Sequence, residues 1–414
     1  MTPPACRFRR ARITARAATL TVITLLAAAA GADLPALAQT RSDQTQSINA
    51  PRPPNRATTW LARLVPDTDD TNVRSDAGVL LLGASPSGPA SLRGGRPEGM
   101  LLTPLHPLTA LSSQVKSELT AVQPAGSAVT VDVRGTRADG SWTEWVPTRA
   151  KVPAALGAAV TAVQARIVLR GAPGGAGPQV RSVRLSAVPG VQLLAARPRD
   201  ARSYRVFATR EGLVGSTTAN GHVIRPRDHF VALPSRQALG PRDSGDYTVK
   251  VCAATGRCEW APVWDVGPWN TADDYWNPPG ERSSWPDLPQ GQPEAQAAFE
   301  DGYNGGHDQF GRPVRNQAGI DLADGTFWDG LGLHNNSWVT VTYLWTDDGA
   351  PAIVGIPVLP ILSGPGQQFP PVGLAAEHAR LPVECAVDGQ LVHGPLGVTD
   401  RWLRIGPKQF VSAA

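Results

Sequence analysis

Between residues 57 and 190, apolar and polar side chains alternate in short runs broken by Gly, Pro and Asp. The cleanest run is Ala128-Val129-Thr130-Val131-Asp132-Val133-Arg134, and residues 163–169 and 180–185 repeat the pattern. A period of two puts every second side chain on the same face, so each run predicts a half-buried β-strand. Ala138-Asp139-Gly140-Ser141 provides a turn, and no helical period is sustained. An all-β sandwich is expected for residues 57–190.

The same alternation returns at residues 205–209, 247–252, 258–264 and 339–344, which predicts a second β unit over 203–346. One helix is expected at 323–331, with Phe327, Trp328 and Leu331 on a shared face. After Asp347-Asp348-Gly349-Ala350-Pro351, residues 351–414 read as a small third barrel. Three units suit a chain of 414 residues at roughly 100–200 residues per domain. The whole chain is therefore expected to be all-β.

Residues 1–38 change the picture of compartment. An Arg cluster precedes an apolar run over 17–32 and small residues at Ala36 and Ala38, the pattern of a secretory signal peptide cleaved after Ala38. The run is shorter than the ~20 residues of a membrane span, and no later stretch approaches that length. A linker is expected over 39–56. The formal charge of +4 sits within residues 1–38, so the remainder is neutral and carries no footprint for nucleic acid. Cys252 and Cys258 flank a five-residue loop between two strand patterns, and in an oxidising compartment they can close a hairpin disulfide. Cys6 would leave with the leader, so Cys385 is then odd and is expected to be buried. No Cys or His set has metal-ligand spacing, His307-Asp308 and His222 included, so neither metal nor cofactor is expected.

Three resemblances add to this reading. Asp139-Gly140-Ser141-Trp142-Thr143-Glu144-Trp145, with Val163-Gln164-Ala165-Arg166 and Arg181-Ser182-Val183-Arg184-Leu185, resembles the galactose-binding-like jelly roll of secreted hydrolases. That resemblance makes Trp142 a candidate sugar-stacking ring, with core or strand-pair packing as the alternative. Residues 381–390, 394–402 and 408–414 resemble a bacterial SH3 module, in which Trp402 either faces a ligand or packs in the core.

The middle unit carries the sharpest signal. Thr218-Ala219-Asn220-Gly221-His222, Phe230-Val231-Ala232-Leu233-Pro234-Ser235, Val263-Trp264-Asp265-Val266-Gly267-Pro268-Trp269 and Ala318-Gly319-Ile320-Asp321-Leu322-Ala323 occur in order. Together they resemble the six-stranded double-psi β-barrel of rare-lipoprotein-A-type lytic transglycosylases and expansins. The resemblance implies a glycan groove, with Asp265 as acid/base and Asn220 beside it. It also implies Asp321 either as a second carboxylate or as the cap of the following helix. Where the transglycosylases carry a Glu and a His, this chain has His222 and Leu233, which shifts weight toward expansin-like binding without hydrolysis. His222 remains a candidate acid/base.

The chemistry of Asp265 points the same way on its own. Flanked by Val263, Trp264, Val266 and Trp269, its carboxyl is expected to be partly desolvated and so raised in pKa. Residues 270–317 form a long insertion rich in Pro, Gly and aromatics, expected to be an ordered cover. Trp269 just before it, with Tyr275 and Trp276 inside it, either stack sugars beside Asp265 or form the insertion's own small core. The expected function is cell-wall polysaccharide or peptidoglycan binding and remodelling by a secreted monomer. The open alternatives are glycan cleavage and purely adhesive binding.

Overall fold

The structure is a computed structural model that describes residues 57–83, 97–173, 176–189, 201–346 and 351–414. The expected signal peptide and linker lie outside the described residues. The protein is all-β, and no helix among the described residues is long and apolar enough to cross a membrane.

Nine strands make the first group: β1 (Thr58–Leu61), β2 (Val73–Asp76), β3 (Val79–Leu82), β4 (Glu98–Leu102), β5 (His106–Val122), β6 (Ala128–Thr136), β7 (Val146–Pro147), β8 (Ala154–Arg170) and β9 (Gln179–Pro189). The three alternating runs read from sequence fall in β6, β8 and β9. Their hydrogen-bonded order is β2-β3-β9-β5-β8-β6-β7, with β1 on β9 and β4 on β8. The two 17-residue strands β5 and β8 are long enough to serve several neighbours each. An isolated bridge from Thr71 to Met100 brings the sheet round on itself. Leu101, Val133, Val160, Ala165, Ile167, Val183 and Leu185 fill its core.

The second group is a closed ring. Its strands are β10 (Arg202–Arg210), β11 (Val231–Leu233), β12 (Thr248–Ala253), β13 (Cys258–Val266), β14 (Ala318–Leu322) and β15 (Ser337–Tyr343). Neighbours run β10-β14-β11-β13-β12-β15 and back to β10, and two of the six pairs, β10–β14 and β11–β13, are parallel. Closure leaves no free edge within the ring. Cys252 and Cys258 are direct cross-strand partners and form the expected disulfide. The helical turn after β14 is π-helical over Thr326–Gly330. It buries Phe327 and Leu331 but leaves Trp328 37% exposed, so the three do not share a face.

The third group comprises β16 (Pro351–Ile353), β17 (Val358–Leu362), β18 (Pro371–Ala376), β19 (Arg380–Pro382), β20 (Cys385–Gly394), β21 (Gly397–Gly406) and β22 (Gln409–Ser412). β18 pairs in parallel with β13, so this group continues the barrel's own sheet. Every residue of β13 is buried, because its alternate faces serve different cores. Ala261 and Val263 face the barrel interior, while Cys258 and Trp260 pack with Ile361, Ala375, Leu381 and Ile405 of the third group. Cys385 is half-buried and is itself disulfide-bonded, so it is not the odd, buried cysteine expected.

Polar groups sunk between the strand groups join them. Trp145 enters the barrel core, donates its indole N–H to the Leu239 carbonyl (3.1 Å) and is covered by Arg134 and Arg166. Glu144 accepts from the indoles of Trp276 (2.7 Å) and Trp345 (2.8 Å) and from the Asn277 amide (2.7 Å). Asp246 binds Arg134 of the first group (2.8 Å) and Arg380 of the third (2.6 Å). Within the barrel, Glu259 of β13 accepts from His229 (3.0 Å) and from the Thr326 hydroxyl (2.8 Å), which fixes the π-helical turn against the strand.

Truncating Glu144 strands two indole donors and an amide, and bonds to a charged acceptor carry the larger share of such losses. Glu144→Ala is therefore expected to lower unfolding free energy by about 3 kcal/mol, and Glu144→Gln by less. Chemical denaturation checks both.

Candidate functional site

Three carboxyl groups converge at one end of the ring, and strand register explains why. Ala232 of β11 lies opposite Asp265 on its parallel neighbour β13 and opposite Asp321 on its antiparallel neighbour β14. Across the other edge of β14, Asp321 pairs with Thr209 of β10. Two residues beyond Thr209, Glu211 donates its backbone N–H to the Leu322 carbonyl (2.8 Å), which holds its side chain at the same end.

Asp265 has no exposed surface. Its Oδ1 accepts from the backbone N–H groups of Ala219 (2.7 Å) and Val266 (2.8 Å), so it staples the 218–222 turn to the end of β13. Its Oδ2 and both Glu211 oxygens are buried away from every other donor among the described residues. The two carboxyl groups are buried side by side, and each shifts the other's titration. Burial pushes Glu211 well above the usual carboxylate range, and the charges of Asp265, Asp321 and Asp324 push it further. Burial also raises Asp265, while Glu211 and the two amides hold it down. Of the two, Glu211 is pushed up further.

Asp321 retains some exposure and accepts from the Thr209 hydroxyl in a short hydrogen bond. Burial and the neighbouring Asp265 charge raise its pKa to about 7, against the pull of that hydroxyl. The following helical turn has no side-chain cap, so Asp321 does not cap it.

The other expected site residues stand elsewhere. His222 turns its Nε2 to Asp228 (2.7 Å) and packs against Trp264 and Phe230, away from the carboxyls. Asn220 is fully buried, bonding the Gly240 and Pro241 carbonyls and receiving the Thr218 hydroxyl, so it cannot touch a ligand. Tyr275 and Trp276 belong neither to a sugar platform nor to a separate small core. Both are fully buried in the main barrel core, Tyr275 between the Gly319 carbonyl and the Tyr343 hydroxyl, Trp276 on Glu144. Trp402 is buried and bonds the Gln390 carbonyl. Trp142 is half-buried with the Arg134 guanidinium 3.7 Å above its ring, which occupies the stacking face. Trp269 is likewise half-buried, its indole held by Asn316 (3.1 Å).

Residues 270–317 form an ordered cover with a short helix α1 (Glu294–Asp301). Asp273 pairs with Arg282 (2.5 Å), neither exposed, and also accepts from the Glu294 backbone N–H (2.6 Å). Glu211 was not foreseen. The run Thr209-Arg210-Glu211-Gly212 reads as the polar end of a strand, and only the parallel pairing of β10 with β14 turns it inward. No group of His, Cys, Asp and Glu among the described residues is arranged to hold a metal ion.

Residues 202–342 match the model of a family described as a domain of unknown function, DUF8814. That stretch takes in all three carboxyls and the segment 270–317. No curated protein matches the chain.

Raised carboxyl pKa values mean that the folded state binds protons more tightly than the unfolded one. The resulting stabilisation is complete below the ordinary carboxylate range and is lost as pH rises through about 7 for Asp321. His229 acts with the same sign: burial lowers its pKa, but the bond and charge of Glu259 outweigh burial and raise it. Unfolding free energy should therefore fall between about pH 5 and pH 8, and Asp321→Asn should flatten that slope by about 1–2 kcal/mol. Glu211→Gln sets an uncharged amide beside Asp265 and should be neutral at pH 5 and stabilising at pH 8. Glu211→Ala should cost about 2 kcal/mol by opening a cavity beside the buried Asp265. Denaturant titrations across pH read all three.

Proposed function

We propose that this is a secreted, monomeric protein that binds bacterial cell-wall polysaccharide, peptidoglycan foremost, without cutting it. On this reading the closed ring is an expansin-like double-psi barrel. The first strand group is a galactose-binding-like sandwich, and the third is an SH3-like module. The leader pattern and the Cys252–Cys258 disulfide both fit an oxidising compartment.

The observation that carries binding over hydrolysis is the sealed Asp265 carboxyl. Hydrolysis by two carboxylates needs them about 5–5.5 Å apart to retain configuration, or about 6.5–9.5 Å apart to invert it. Asp265 has no exposed surface from which to meet a sugar, and the neighbouring Glu211 oxygens are buried with it. Asp265 Oδ1 is taken up by two backbone amides, so the group maintains the barrel end rather than facing a substrate.

One observation favours a second reading. Asp321, partly exposed and with a pKa of about 7, suits a single group that first gives and then takes a proton, as lytic transglycosylation requires. Purified peptidoglycan sacculi distinguish the two. Pelleting of the protein with sacculi and no soluble fragments is the expected result. Soluble anhydro-sugar products that disappear in Asp321→Asn would replace the binding reading with the enzymatic one.

A further inference from the structure

The cover formed by residues 270–317 contains an open cleft of about 850 Å3. Ser284 and Trp285 form one wall, and Asn304, His307, Asp308 and Gln309 form the other. We infer that this cleft is the saccharide-binding site, with the Trp285 indole as the stacking surface, and this rests on the binding reading above.

The walls are built before any ligand arrives. Gln309 is clamped on both sides: its side-chain carbonyl accepts from the Thr271 N–H (2.9 Å), its amide donates to the Thr271 hydroxyl (2.7 Å), and its own N–H reaches the Asn270 side chain (2.9 Å). Asp308 is fully engaged, accepting from the Phe310 and Arg312 N–H groups (2.9 Å each) and from the Arg312 guanidinium (2.6 Å). On the opposite wall, Asp274 accepts from the N–H of Ser283 (2.8 Å), next to Ser284 and Trp285. A held cleft loses little freedom on binding.

What the walls leave unused identifies the ligand class. Among the described residues, the Ser284 hydroxyl, the Trp285 indole N–H and the His307 imidazole have no hydrogen-bond partner. Trp285 and Asn304 both sit in the left-handed region, at φ +53° and +51°, where bulky residues are rarely found. This backbone sets the half-exposed indole at the cleft wall. The one carboxylate in the lining is neutralised by Arg312, so the cleft offers an aromatic face, a hydroxyl, an imidazole and an amide with no free charge. Those groups match a neutral sugar, which presents an apolar ring face and a rim of hydroxyl or acetamido groups. They lack the cation that a phosphate or a polyanion would need.

The full chain and a β-1,4-linked N-acetylglucosamine hexamer provide the test, by titration calorimetry. Trp285→Ala should weaken hexamer binding by roughly tenfold or more, Trp285→Phe should recover part of the loss, and His307→Ala should weaken it several-fold. The denaturation midpoint of each variant checks that it folds. Hexamer binding unchanged in folded Trp285→Ala, or no hexamer binding by the unsubstituted protein, would overturn the cleft as the site. Pelleting with sacculi is scored separately: pelleting that persists in Trp285→Ala leaves the binding reading standing and moves the site elsewhere. Absence of pelleting by the unsubstituted protein removes the reading itself.

Discussion

The carboxylate of Glu144 is where three parts of the protein meet. It comes from a loop of the first strand group, yet it serves Trp276 and Asn277 of the 270–317 cover and Trp345 at the end of the barrel. Beside it, Trp145 fills barrel core that the barrel does not fill itself, and Asp246 binds an arginine from each flanking group. Buried charge of this kind is stabilising only where every lone pair is met, because removing one partner leaves the rest uncompensated. The three strand groups keep separate cores and are locked together by these buried polar groups.

That locking decides what happens to the aromatics. Tyr275, Trp276, Trp345 and Tyr343 stack edge to face and in parallel within one cluster, with ring centroids 5.1–6.0 Å apart. Each polar tip finds an acceptor, as buried indoles and phenols require. Among the rings that the cover leaves open to solvent are Trp285, Phe299, Tyr303 and Phe310, with Trp269 half-buried just before it.

Local features of the fold were legible from sequence. Alternation located β6, β8, β9, β10, β12, β13 and β15, and a six-residue spacing between cysteines in facing strands located the disulfide. Asp265 stood out because a carboxylate inside an apolar strand must have a purpose. The partners that define that purpose were not legible. Glu211 and Asp321 lie 54 and 56 residues from Asp265, and they meet it only through the parallel pairs β10–β14 and β11–β13 and the antiparallel pair β11–β14, which no local pattern encodes. For the tryptophans the sequence left stacking and packing both open, for a related reason. In a segment rich in Pro and Gly an aromatic ring resembles an exposed binding residue, and only the arrival of Glu144 from more than a hundred residues away makes it core.

The parallel seam between β13 and β18 has its own consequence. Deleting the last 64 residues would not release an independent barrel. It would bare Trp260 and uncover unpaired amides along Cys258–Trp260, a template that foreign strands readily join. The C-terminal strands thus guard the solubility of the barrel, whatever else they bind.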